Sequence, residues 1–152
     1  MNTLSSYTAE LCRAFDLEQI EVKPQATNKE KTRAMAVLYA DMRAYEERLD
    51  EVVGVENWSV IYQMSDRGVV CELTICGVTK SGIGDYPRDE SDDNPATSAE
   101  AQAFKRACSR FGIGRYIYHL PKVWADYDRE KKRFQNPERI INTVYAMARI
   151  DN

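Results

Sequence analysis

Residues 95–124, PATSAEAQAFKRACSRFGIGRYIYHLPKVW, decide how the rest of the chain is read. Thr97 and Glu100 have the spacing of a capping box, which predicts a helix starting near Ser98. Ala99, Ala103, Phe104, Ala107, Cys108 and Phe111 recur at intervals of three and four, so they share the face that meets a core. Gln102, Lys105, Arg106, Ser109 and Arg110 follow the same rhythm on the other side, and Gly112 is placed to end the helix. A cationic ridge is ordinarily a solvated face. What distinguishes this one is the run of alternating aromatic and basic residues that follows it.

The chain has 152 residues, of which 43% are hydrophobic and 30% charged, the balance of a folded protein rather than a disordered one. That length suits a single domain over residues 1–152. No apolar run approaches the roughly 20 residues of a membrane span, and the first residues lack the pattern of a secretory signal. An intracellular location without membrane contact is therefore expected. Cys12, Cys71, Cys76 and Cys108 form no CxxC pair and only His119 could join them, which points to ordinary buried thiols rather than a metal or disulfide framework. The net charge is −3, but residues 1–98 carry −8 and residues 99–152 carry +5. Such asymmetry predicts an electrostatic footprint on one surface.

Helical spacing at Leu4, Tyr7, Leu11, Ala14 and Phe15 predicts an N-terminal helix over 4–17, followed by a brief edge segment at Ile20–Lys23 and a loop from Gln25 to Lys31. Residues 32–39 suit a strand or a helix start, and a strand is adopted only because of the family resemblance given below. A helix is predicted over Met42–Val53, with Arg48 on its wet side. Trp58–Met64 and Val69–Cys76 read as a hairpin turning at Asp66-Arg67-Gly68, with a third strand at Gly82–Tyr86 and an acidic linker over 88–94. Val123–Tyr127 and Arg133–Gln135 suggest a ribbon around a basic turn, and a last helix is expected over 138–149.

Catalysis is poorly supported. His119 has no nucleophile elbow or zincin helix to serve, and the two short Gly-Ile-Gly pieces are not phosphate-binding fingerprints. No cofactor or metal is expected, and the chain does not read as an enzyme. Single-stranded nucleic acid fits better: Arg115, Tyr116, Tyr118, Lys122, Trp124, Tyr127, Arg129, Lys131, Lys132, Arg133 and Phe134 offer cations for phosphates and ring faces for unstacked bases. Trp124 and Tyr118 are nonetheless expected to be buried, as large aromatics usually are.

Residues 32–60 (TRAMAVLYADMRAYEERLDEVVGVENWSV), 71–86 (CELTICGVTKSGIGDY) and 99–124 (AEAQAFKRACSRFGIGRYIYHLPKVW) together resemble the Rad52 superfamily of single-strand annealing proteins, bacterial and phage members included. The resemblance covers most of residues 20–135. It implies an α+β fold in which a small curved antiparallel sheet, a hairpin plus a third strand, packs on a long helix. The subunits would assemble into an oligomeric ring that holds single-stranded DNA in a basic groove, anneals complementary strands in homologous recombination and double-strand break repair, and protects DNA ends. Implied groove residues are Arg43, Lys105 and Arg106. A further family arginine falls on Ser109, with Arg110 beside it. We read Arg43, Lys105, Arg106, Arg110 and Arg115 as the groove, with Lys122, Arg129, Lys131, Lys132 and Arg133 as outer contacts. Recombinase or replication proteins are further expected partners, in a bacterial cytoplasm or nucleoid or a phage-infected cell. The rivals are an adaptor whose basic face docks an acidic protein, and a metal-dependent nuclease.

Overall fold

The computed structural model describes residues 3–88 and 91–150. In chain order the elements are α1 (Leu4–Cys12), β1 (Ile20–Thr27), β2 (Arg33–Ala40), α2 (Met42–Val52), β3 (Trp58–Met64), β4 (Gly68–Ile75), β5 (Val78–Asp85), α3 (Pro95–Arg110), β6 (Val123–Asp128), β7 (Arg133–Phe134) and α4 (Pro137–Met147). The fold is α+β, with two antiparallel sheets in the orders β1-β2-β6-β7 and β3-β4-β5. The chain forms two compact units, one from the residues up to 13 with 42–115, the other from 14–41 with the residues from 116 onward.

In the first unit α3 lies on β4 and β5. Val69, Cys71, Leu73 and Ile75 alternate along β4 and are all buried, as period-two strand geometry requires of one covered face. They meet the Ala99, Ala103, Phe104, Ala107 and Cys108 side of α3, the side that the spacing assigns to the core. Across from Cys71 and Val69 stand Gly82 and Gly84. A Cβ on Gly82 would overlap the backbone of Ala103 and Ala107, and one on Gly84 the backbone of Ala99 and Ala103. Helix and strand therefore touch backbone to backbone, along a seam that only glycine and alanine permit. β5 is an edge strand, and α3 side chains take its outward polar groups: Asp85 N–H donates to Gln102 Oε1 at 3.2 Å, and Arg106 Nη1 donates to the Ile83 carbonyl at 2.7 Å.

The boundaries differ from the expected ones where local chemistry decides them. α3 starts at Pro95, three residues before the predicted position, because a proline at the first helical position needs no partner for a missing N–H; Thr97 and Glu100 form no capping box. Ser98 instead donates to Asp92 Oδ2 at 2.8 Å. Of the expected acidic linker, residues 89 and 90 lie outside the described residues. β5 begins at Val78 rather than Gly82, since the turn takes only Cys76 and Gly77, both at positive φ (49° and 84°). α1 stops at Cys12 instead of running to residue 17. Arg48 is the reason: far from the wet side, it is 4% exposed, and its Nη1 donates to the carbonyls of Glu10 (3.3 Å), Leu11 (3.0 Å) and Arg13 (2.5 Å), closing the helix end.

In the second unit, β2 pairs with β1 on one side and with β6 on the other. β1 continues through Pro24 into the stretch expected to be a loop. An edge strand with a bulge between Pro24 and Ala26 tolerates the lost donor. Ile140, Ile141, Val144 and Tyr145 bury the inner face of α4, whereas Met147 at its end is 57% exposed. The Tyr145 and Tyr116 hydroxyls lie 2.6 Å apart and bracket Phe15, whose N–H donates to Tyr116 and whose carbonyl accepts from Tyr145, each at 3.0 Å.

Candidate nucleic-acid interface

α3 ends in a Schellman motif. Ile113 N–H donates to the Cys108 carbonyl at 3.1 Å and Gly112 N–H to that of Ser109 at 3.0 Å, with Gly112 at φ 94°. The reversal brings Arg115, which opens a short 3-10 turn over Arg115–His119, back toward the helix it follows. Arg106, Arg110 and Arg115 then line one open cleft of about 410 Å³ together with Ser109 and Ile83.

The hydrogen bonds explain why three like charges can converge there. Arg115 Nε donates to the Ser109 carbonyl at 2.7 Å, Ser109 Oγ to the Arg106 carbonyl at 2.6 Å, and Lys80 Nζ to the Arg110 carbonyl at 3.1 Å while lying 5.3 Å from the Phe111 ring centre. A helix C-terminus carries partial negative charge and unpaired carbonyls, so cations are stabilised there. Each guanidinium has five N–H donors, and Arg106 and Arg115 spend one apiece on these carbonyls. Among the described residues no carboxylate pairs with any of the three arginines and none lines the cleft; the ion pairs are Arg13–Glu10 and Arg33–Asp126. The remaining donors face an acceptor-rich anion best, and a phosphate matches the planar guanidinium fork. A metal ion would be repelled, and among the described residues no group of three His, Cys, Asp or Glu side chains could hold one.

Of the residues assigned from sequence, the structure thus brings together Arg106, Arg110 and Arg115. Ser109 lines the cleft between them, so Arg110 supplies an arginine beside the position where the resemblance placed one. Lys105 is part-buried on α3 and Arg43 is exposed on the first turn of α2; neither lines the cleft. Lys122, Arg129, Lys131, Lys132 and Arg133 are exposed and belong to the second unit. Arg129, Lys131 and Lys132 occupy the β6–β7 turn and Arg133 opens β7; in the turn Asp128 Oδ1 accepts from the N–H groups of Glu130 and Lys131, each at 3.0 Å, and Lys132 has φ 55°. The Lys131 bond first, then that of Glu130 and the nearby Lys131 and Arg133 charges, hold the Asp128 carboxyl below its usual range. Trp124 and Tyr118 are not core residues: they are 49% and 64% exposed, because both point away from the buried side of their unit. Lys80 was missed. Its signal is strand parity, since it shares with Gly82 and Gly84 the β5 face that meets α3.

Residues 3–135 match the family described as Rad52/22 family double-strand break repair protein. The chain belongs to this family. It is 38% identical over 133 residues to the single-stranded DNA-binding protein DdrA of Deinococcus radiodurans, an alignment covering 85% of this chain and 62% of that protein. It is 32% identical over 141 residues to the protein of the same name from Deinococcus deserti, covering 90% and 69%. Over 64 residues it is 55% identical to the chloroplastic DNA repair RAD52-like protein 2 of Arabidopsis thaliana, covering 41% of this chain and 30% of the plant protein. The chain thus spans about three fifths of the Deinococcus radiodurans relative. As in the sequence, no helix among the described residues is long and apolar enough to cross a membrane.

Proposed function

We propose that this Rad52/22 family chain binds single-stranded DNA and anneals complementary strands without enzymatic turnover, acting in homologous recombination and double-strand break repair and protecting DNA ends. The observation that carries this reading is the cleft in which Arg106, Arg110 and Arg115 converge, with no carboxylate lining it among the described residues. The names of the Deinococcus relatives support single-stranded DNA as the ligand. Lys105 and Arg43 extend the groove, with Lys122 and the Arg129–Arg133 turn as outer contacts. The two compact units work as one DNA-binding and oligomerisation domain, and copies of it close into a homo-oligomeric ring, the assembly in which α3 would serve as the long helix behind the groove. The setting is a bacterial cytoplasm or nucleoid, or a phage-infected cell, with recombinase or replication proteins as further partners.

Binding by phosphate neutralisation is salt-dependent, with a slope of about 0.7 per contact on a single strand. Fluorescence anisotropy with a labelled oligonucleotide, repeated across salt concentrations, should give a steep slope. In the triple variant Arg106→Ala, Arg110→Ala, Arg115→Ala that slope should fall by about 2, and annealing of complementary oligonucleotides should slow in parallel. An unchanged slope would remove the cleft from the groove. Equal affinity for heparin, with no acceleration of annealing, would replace this reading with an adaptor for an acidic protein.

A further inference from the structure

The second unit has a cleft of its own, about 520 Å³, whose lining includes Arg33, Trp124, Asp126, Gln135, Asn136 and Arg139. Register explains how it forms. Arg33 stands opposite Asp126 and Met35 opposite Trp124 on the β2–β6 ladder, so Arg33, Asp126 and Trp124 emerge on one face. Arg33 Nη1 donates to Asp126 Oδ1 at 2.9 Å and its Nη2 to the Trp124 carbonyl at 3.2 Å. The strand carrying the indole is thereby clamped, and the Asp126 charge is neutralised. Asn136 Oδ1 accepts from Arg139 N–H at 3.2 Å, which fixes the first turn of α4 beside the cleft. Three groups then have no partner among the described residues: the Arg139 guanidinium, the Gln135 amide and the face of Trp124, which is 49% exposed.

A half-exposed indole in a concave site, with one uncompensated cation and one idle amide beside it, has the chemistry of a stacking platform for an unpaired base. We propose that this cleft takes one unstacked nucleobase of single-stranded nucleic acid, its ring on Trp124, its edge toward Gln135 and its phosphate on Arg139. The inference rests on the proposed binding of single-stranded DNA and adds a contact made by residues outside the basic set. Arg33 positions Trp124 rather than serving as the phosphate ligand, because the paired Asp126 carboxylate already offsets its charge and would repel an incoming phosphate.

The chain contains two tryptophans, so Trp58→Phe leaves Trp124 as the sole reporter. This variant, checked for folding by circular dichroism, is titrated with an oligothymidylate and, separately, with thymidine monophosphate, while anisotropy records strand binding independently. The expected result is quenching that tracks the anisotropy isotherm for the oligonucleotide. Trp124→Ala in the otherwise native chain should weaken binding about 5- to 150-fold, Trp124→Tyr should retain most of the affinity, and Arg139→Gln should lower the salt slope by about 0.7. If the oligonucleotide binds without quenching, and Trp124→Ala binds as tightly as the native chain, the cleft is idle while strand binding at the arginine cleft stands. Quenching by the monophosphate but not by the oligonucleotide also overturns the proposal. Absence of strand binding by the native chain overturns both readings at once.

Discussion

Arg106 reaches from α3 to the edge of the neighbouring sheet, where its Nη1 donates to the Ile83 carbonyl at 2.7 Å. One guanidinium thus holds the strand and still presents donors to the cleft. An ammonium has three donors but no planar fork, so it matches a phosphate less well while bound to the same carbonyl. Arg106→Lys should therefore leave the salt slope of DNA binding nearly unchanged and weaken affinity about tenfold, whereas Arg106→Ala should lower both. Equal affinities for Arg106→Lys and the native chain would show that the Ile83 contact has no bearing on the cleft.

The seam between β5 and α3 makes a different demand. A methyl group at Gly84 would overlap the backbone of Ala99, and one at Gly82 that of Ala103. Neither neighbour is a flexible side chain that can swing aside. Gly84→Ala should cost about 1–3 kcal/mol or more, read as a lower urea midpoint at unchanged slope. An unshifted midpoint would mean that helix and strand are less tightly apposed than described.

Arg48 is a buried cation compensated by three carbonyls at the end of α1. Arg48→Met keeps much of the side-chain volume and removes the donor from those carbonyls, of which, among the described residues, only that of Glu10 keeps another, the Arg13 N–H, at a cost of about 1–3 kcal/mol for hydrogen bonds of this kind. The loss should concentrate at the end of α1, so amide exchange there should accelerate more than in β4. Uniform acceleration across the unit would argue for a purely global effect.

The four cysteines divide by environment. Burial pushes the Cys71 thiol up to about 11 and the Cys108 thiol well above its ordinary range, while Cys12 and Cys76 are part-exposed. A thiol-specific reagent at neutral pH should modify Cys12 and Cys76 first and reach Cys71 and Cys108 only on unfolding. Since both shifted groups are favoured in the neutral form by the fold, their contribution to stability is complete below pH 9, the ordinary thiol value, and declines as pH rises from there through about 11 for Cys71. Denaturant midpoints should fall over that interval, and Cys71→Ser should flatten the fall.

Periodicity was enough to place Arg106 and Arg110 on one side of α3, because both lie on a single regular helix. Arg115 was read into the same groove although it lies beyond the helix, and helical spacing could not show that the turn at Gly112 returns it to the Ser109 carbonyl. The β3–β4–β5 hairpin-plus-strand was legible from alternation and turn residues. The four-stranded sheet was only partly legible: its strands were read as separate extended pieces, and the β2–β6 pairing that unites them joins distant segments with no local signature. Arg48 and Trp124 break the usual rules in opposite directions. A cation is buried because carbonyls from another helix receive it, and an indole is exposed because its strand parity faces the wet side.

The glutamine and arginine that α3 lends to β5 also bear on what the sheet can recruit. Open strand edges invite pairing with other chains, whether in fibrils or in swapped assemblies. Here the Asp85 amide and the Ile83 carbonyl are already engaged by Gln102 and Arg106. An incoming strand would have to displace both side chains before it could dock. The contact that ties Arg106 to the strand therefore also guards this border of the sheet against uncontrolled growth.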